Sequence, residues 1–312
     1  MSIQVISWSP EVAAARDAGT PIVALESSVL AQGLPAPANR DAHRLMCSAV
    51  RAAGAVPAVT ATVGGKAVVG LDGEALERFL AKGARKVAAR DLGHAIASGQ
   101  DGSTTVAGTL AIATTAGLDV FASGGIGGVH RAAHGEPSFD ESADLLELSR
   151  SSVVVVCAGA KSILDLPATL ERLDSYGVAV VGYRTAEFPG FFTVSTGLRV
   201  SATADTPQEI ARAFFAGRDL GRPSALLVVQ PPPAGAALDP GLVERAVSAA
   251  LVAAAAGPNR PRGGAVTPFL LAAVERATGG QSLATNLALL EANARLAGEI
   301  AGAVADEKAR RR

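Results

Sequence analysis

Lysine is scarce in this chain. Its 312 residues hold only five (Lys66, Lys82, Lys86, Lys161 and Lys308), so 23 of the 28 basic residues are arginine. Arginine evidently serves wherever positive charge alone is wanted, and a lysine kept in place invites a reason of its own. Cysteine is scarcer still. Cys47 and Cys157 offer neither a metal-ligand spacing nor a disulfide framework, which suits a reducing cytoplasm. A basic excess is missing: the formal net charge of −1 argues against a nucleic-acid surface, with Arg310-Arg311-Arg312 as a solvated tail. Long apolar runs are missing too. The segment around Trp8, Pro10, Glu11 and Arg16 lacks the core of a signal peptide, and the alanine-rich stretch 246–256 is too short to span a bilayer. No internal repeat is visible, which excludes a solenoid.

What is present is apolar residues, 49% of the chain, enough to bury a large core. Short β-branched runs near 22–25, 57–62, 119–122, 153–157, 178–182 and 225–229 alternate with helical patterns near 39–53, 74–82, 104–116, 163–175 and 207–216. Gly54, Gly83, Gly117 and Gly177 stand just past such helices, where a left-handed residue closes the C-terminus. Pro231-Pro232-Pro233 cannot lie inside a central strand or helix, so 230–241 reads as a connection to helices near 240–256, 268–278 and 282–306. The pattern predicts one domain over 1–312, a three-layer α/β/α fold with a mixed sheet and additional C-terminal helices.

Several constellations could carry chemistry. Val153 to Val156 run through Cys157-Ala158-Gly159-Ala160 into Lys161, placing one lysine where a buried strand ends. There an amine can lose its proton and attack carbon, or it can snorkel or pair with phosphate. The spacing before Lys161 does not make a nucleotide-binding P-loop. Glu26, at the end of Ile22-Val23-Ala24-Leu25, suits proton transfer, with helix capping or ion pairing as the plainer role. Gly124-Gly125-Ile126-Gly127-Gly128 lets backbone amides approach a ligand, and His130 with Arg131 tilts that ligand toward an anion; a tight turn without a ligand is the plain reading. Lys86 among Arg85 and Arg90, with a hydroxyl-rich helix start at Thr104-Thr105, could form a phosphate site or a surface charge cluster. Asp140, Ser142 and Asp144 form a hard-oxygen cluster ahead of a helix, suited to magnesium or manganese, or simply to capping. Asn286 shares a helical stripe with Leu283 and Leu290 and should face inward.

Taken in order, Ala24 to Ser28, Gly33-Leu34-Pro35, Ala88 to Leu92, Ser123 to Arg131, Phe139 to Leu145, Val155 to Leu166, Thr267 to Leu271 and Ser282-Leu283 with Asn286 resemble the pseudouridine-5′-phosphate glycosidase family, which includes the indigoidine synthase A-like proteins. The resemblance spans nearly the whole chain. It implies reversible cleavage of the C–C glycosidic bond of pseudouridine 5′-phosphate to uracil and ribose 5-phosphate, with a divalent cation, usually Mn2+, in a homotrimer; composition and charge add a cytoplasmic protein that binds neither nucleic acid nor membrane. Lys161 then matches the nucleophile, Glu26 the proton donor and Asp140 the metal ligand. Lys86, Val106, Ser142, Ala143 and Asp144 match substrate-contact positions, Asn286 a pocket amide and His130 a pocket histidine, with Thr105 joining Lys86 in phosphate recognition. In one departure, Gln32 precedes Gly33 where many members carry histidine.

The residue types make chemical sense of this. A C-glycoside has no leaving-group oxygen or nitrogen to protonate, so the usual carboxylate pair is insufficient, whereas a lysine imine with ring-opened ribose supplies an electron sink. The alternatives are an aldolase-like Schiff-base lyase acting on a sugar phosphate, and a non-enzymatic sugar-phosphate binding protein.

Overall fold

The computed structural model describes residues 5–81, 84–131, 140–256 and 266–311. Its strands are β1 (Ile6–Trp8), β2 (Ile22–Leu25), β3 (Val56–Val63), β4 (Lys66–Val69), β5 (Arg85–Val87), β6 (Gly102–Thr104), β7 (Val120–Ala122), β8 (Val129–His130), β9 (Val154–Cys157), β10 (Leu164–Asp165), β11 (Ala179–Tyr183), β12 (Ala202–Ala204) and β13 (Leu226–Val229). The helices are α1 (Pro10–Ala18), α2 (Ala38–Ala52), α3 (Gly73–Leu80), α4 (Leu92–Ala97), α5 (Val106–Ala116), α6 (Ala143–Leu148), α7 (Leu166–Ser175), α8 (Pro207–Asp219), α9 (Pro240–Ala256), α10 (Val266–Ala277) and α11 (Gln281–Arg310).

Eleven strands form one sheet in the order β1-β4-β3-β2-β7-β9-β13-β11-β12, with β6 added beside β3 and β5 beside β6. Pairing is parallel except where β3 meets β4 and β6. A parallel sheet with helices on both faces must bury its strands on both sides, and β9 and β13 are accordingly apolar and buried throughout. Helix α11 crosses this sheet, packing on α2, α8, β7 and β9. The layered, mixed-sheet expectation is borne out, and the six strands read from apolar runs are all present within about a residue.

Helix boundaries follow their caps. Thr206 and Glu209 form a capping box at the start of α8, and Asp165 caps α7 ahead of Pro167. Gly117 closes α5 in the left-handed conformation, at φ 71°. One boundary differs from expectation. The hydroxyl-rich helix start predicted at 104 is split, with Thr104 ending β6 and Thr105 capping α5 through a 3.2 Å bond from the Gly108 amide. Gly83 lies outside the described residues.

Candidate active site

Parallel strands point their C-terminal ends one way, and β2, β7 and β9 lie side by side at the centre of the sheet. Glu26 follows β2, Ser123 follows β7, and Lys161 follows the turn after β9. The two loops are laced together: Ala158 N donates to Gly124 O at 2.9 Å, Ile126 N to Gly159 O at 3.0 Å and Lys161 N to Ile126 O at 3.1 Å. Gly159, at φ 83°, makes the left-handed turn that brings the lysine round.

Glu26, Lys86, Lys161, Gly124, Gly125 and Asn286 border one cavity of about 50 Å³. Its apolar wall includes Val29, Phe191 and Leu271. Phe191 stands at φ 64°, a conformation unusual for a bulky residue, and its ring packs where a side chain on Gly125 would sit. Lys86 reaches this cavity from β5, whose edge is secured by Gln32: the Gln32 amide donates to Ala84 O at 2.6 Å and accepts from the Ser103 hydroxyl at 2.8 Å. Both ends of that amide are thus engaged by the protein.

Glu26 is 6% exposed, and its two carboxylate oxygens accept separately from Ser28 at 2.5 Å and Ser123 at 2.6 Å. Burial pulls the Lys86 amine below the ordinary lysine range, the Lys161 ammonium adds to this, and Asp144 and Glu26 oppose it. Burial likewise lowers His130, opposed by Asp140 and reinforced by Lys161 and Lys86. The cysteines do not compete as nucleophiles, because burial pushes Cys157 up to about 12 and Cys47 to about 11.

The other sequence candidates take different places. Val106, Ser142, Ala143, Asp144, His130, Asp140 and Thr105 are not among the described residues lining the cavity. Buried Asp144 instead accepts from the amides of Ala107 at 2.9 Å and Gly127 at 2.8 Å, joining α5 to the glycine loop. Ser142 caps α6 through the Asp144 amide. Gly127 and Gly128 lie against Ser142 and Thr169, so those two glycines serve close packing of the chain on itself. Arg131, expected to attract an anion, is engaged otherwise: it makes a two-pronged pair with Glu244 and donates to the carbonyls of Ser162 and Leu164. Thr104 is buried among Ser27, Thr60 and Thr109 in a hydroxyl cluster beneath the site. Sequence reasoning missed Ser28, Phe191, Thr267 and Leu271 as cavity residues, since nothing local distinguishes them from ordinary core or loop positions.

A metal has limited provision. Among the described residues no three of His, Cys, Asp and Glu gather into a cluster. Glu141 pairs with Arg172, and Asp144 is held by backbone amides. Asp140 is exposed and offers one hard carboxylate oxygen, and the described residues around it do not add up to a metal site.

The family model described as indigoidine synthase A like protein matches residues 11–303. A pseudouridine-5′-phosphate glycosidase of Gemmatimonas aurantiaca is 60% identical over 94% of this chain and 94% of its own length. That of Herpetosiphon aurantiacus is 52% identical, covering 95% and 97%. Among solved structures, the prealnumycin C-glycosynthase AlnA in complex with ribulose 5-phosphate superposes with a TM-score of 0.89 at 41% identity, covering 98% of this chain and 99% of that one. An indigoidine synthase A-like protein of Thermotoga maritima superposes at 0.86 with 34% identity, covering 95% of each chain.

Proposed function

The chain belongs to the indigoidine synthase A-like family of enzymes, and from that premise we propose that it reversibly cleaves the C–C bond of pseudouridine 5′-phosphate, giving uracil and ribose 5-phosphate. The observation that carries this reading is one cavity bordered by a buried carboxylate, Glu26, and two amines, Lys86 and Lys161.

In the reaction, the neutral Lys161 nitrogen bonds to C1′ as the bond between C1′ and the ring oxygen breaks, and the proton lost from that nitrogen ends on the ring oxygen as the 4′-hydroxyl. The nitrogen lone pair then drives cleavage of the C1′–C5 bond, leaving an imine on the sugar carbon, while Glu26 delivers a proton to the departing uracil carbon. Water adds to the imine and releases ribose 5-phosphate with the free amine. Lys86 pairs with the phosphate, and the Asn286 amide faces the base. The ligand named for AlnA supports an open-chain sugar: ribulose 5-phosphate has its 5-oxygen esterified and cannot close a furanose ring. A manganese ion, where bound, would be held by Asp140 and would supply positive charge beside an anionic substrate.

Incubation with pseudouridine 5′-phosphate should release uracil. Borohydride added during turnover should attach ribose phosphate to the peptide containing Lys161, and Lys161→Arg should be as inactive as Lys161→Ala because guanidinium forms no imine at reachable pH. Turnover of simple sugar phosphates alone would favour the aldolase-like lyase. A trapped mass on Lys86, whose lowered proton affinity makes it the rival amine, would move the nucleophile to that residue.

A further inference from the structure

The best-supplied group in the cavity is Glu26, and neither hydroxyl that holds it is explained by local structure. Ser28 precedes the π-type turn Val29–Gly33, where a serine would ordinarily cap; its side chain makes no cap bond and donates to Glu26 instead. Ser123 is 2% exposed and donates to the other carboxylate oxygen. Its backbone is fixed from the far side of the loop: the buried Asn293 amide of α11 donates to Ser123 O at 2.9 Å and Gly124 O at 3.3 Å, and Gln230 after β13 donates to Asn293 Oδ1 at 3.0 Å. Four separate chain segments therefore converge on the orientation of one carboxyl group.

We infer that Ser123 and Ser28 are positioning residues that hold the two Glu26 oxygens so that one proton is delivered to the departing base carbon, with Asn293 fixing Ser123. This rests on the proposed function, since it assigns the residues that act through its acid. A carboxyl group with both oxygens anchored keeps its plane and cannot rotate toward Lys161 to form an ion pair, which would take it out of line with the base. Ser28 borders the cavity and Ser123 lies behind it, so the two hydroxyls approach from the open and the buried side respectively.

The experiment separates proton delivery from imine formation. Pseudouridine 5′-phosphate cleavage reports both, whereas borohydride trapping of ribose 5-phosphate alone reports the imine without any C–C bond to break. Ser123→Ala and Ser28→Ala should each lower kcat for cleavage by roughly 10- to 100-fold, part of the contribution of a positioned general acid. Their KM should stay within about threefold, the trapped yield should match wild type, and Ser28→Thr, which keeps the hydroxyl, should restore most of kcat. Cleavage rates within about threefold of wild type in both alanine variants would overturn the inference, as would parallel loss of trapping and cleavage, the signature of general disruption. Wild-type protein that neither cleaves nor traps would instead sink the proposed function, and the inference with it.

Discussion

At the scale of single residues, Lys86 in the cavity wall and His130 outside it differ in what they are free to do. Lys86 is partly buried with no salt-bridge partner among the described ion pairs, so a substrate phosphate can complete it. Lys86→Ala should weaken use of pseudouridine 5′-phosphate by about 1.5–3 kcal/mol, the scale of a charge-assisted hydrogen bond. Steady-state kinetics with and without the phosphate checks this, since an equal loss on unphosphorylated pseudouridine would contradict the assignment. His130 governs a pH effect. Unfolded histidine takes its proton near pH ~6.5, whereas burial lowers the folded value. The stability tied to the neutral ring is therefore complete above about pH 6.5 and is lost as pH falls through the folded value. Urea titrations at pH 7.5 and 5.5 should show a smaller drop for His130→Gln than for wild type; an identical drop would remove His130 from the account.

At the scale of elements, the loop carrying Lys161 is tied to the C-terminal helices. Arg131, beside β8, grips Ser162 O and Leu164 O while its guanidinium pairs with Glu244 of α9, and α9 packs on α10, which brings Thr267 and Leu271 to the cavity wall. Arg131→Ala should destabilise the protein by about 1–3 kcal/mol and speed amide exchange across 240–256 as well as in the Lys161 loop. Arg131→Lys should restore little, because an ammonium cannot span two carbonyls and a carboxylate with the same fork. Hydrogen exchange confined to one of the two segments would mean that they are not coupled. The central strands were legible because they are buried on both faces and show as uninterrupted apolar runs. Short strands such as β1, β5, β6 and β12 were not, since three residues at a sheet margin carry too little apolar pattern to rise above their surroundings.

At the scale of the molecule, no helix among the described residues is long and apolar enough to cross a membrane. We propose the homotrimer that the family resemblance implies, and light scattering at micromolar concentration should return about three times the 31.2 kDa chain mass. A monomer under those conditions would remove the expectation. Part of the cavity was readable in the chain itself: of the residues singled out there, Glu26, Lys86, Lys161 and Asn286 border it. Glu26 and Lys161 announce themselves because each follows a β-branched run, and the end of a buried strand is a place where a polar group must face either a partner or a ligand. The layered fold was readable for the same reason, as burial imposes its period locally. What the tertiary structure decided is how the remaining polar groups are spent. Arg131 and Asp144 have the charges of ligand-binding residues, yet Glu244 and the amides of Ala107 and Gly127 occupy them. Ser28 and Ser123, 95 positions apart in sequence, meet on one carboxylate. Hydrogen-bond partners are chosen by proximity in space, and between β2 and β7 that proximity is created by strand order, which no local pattern along the chain encodes.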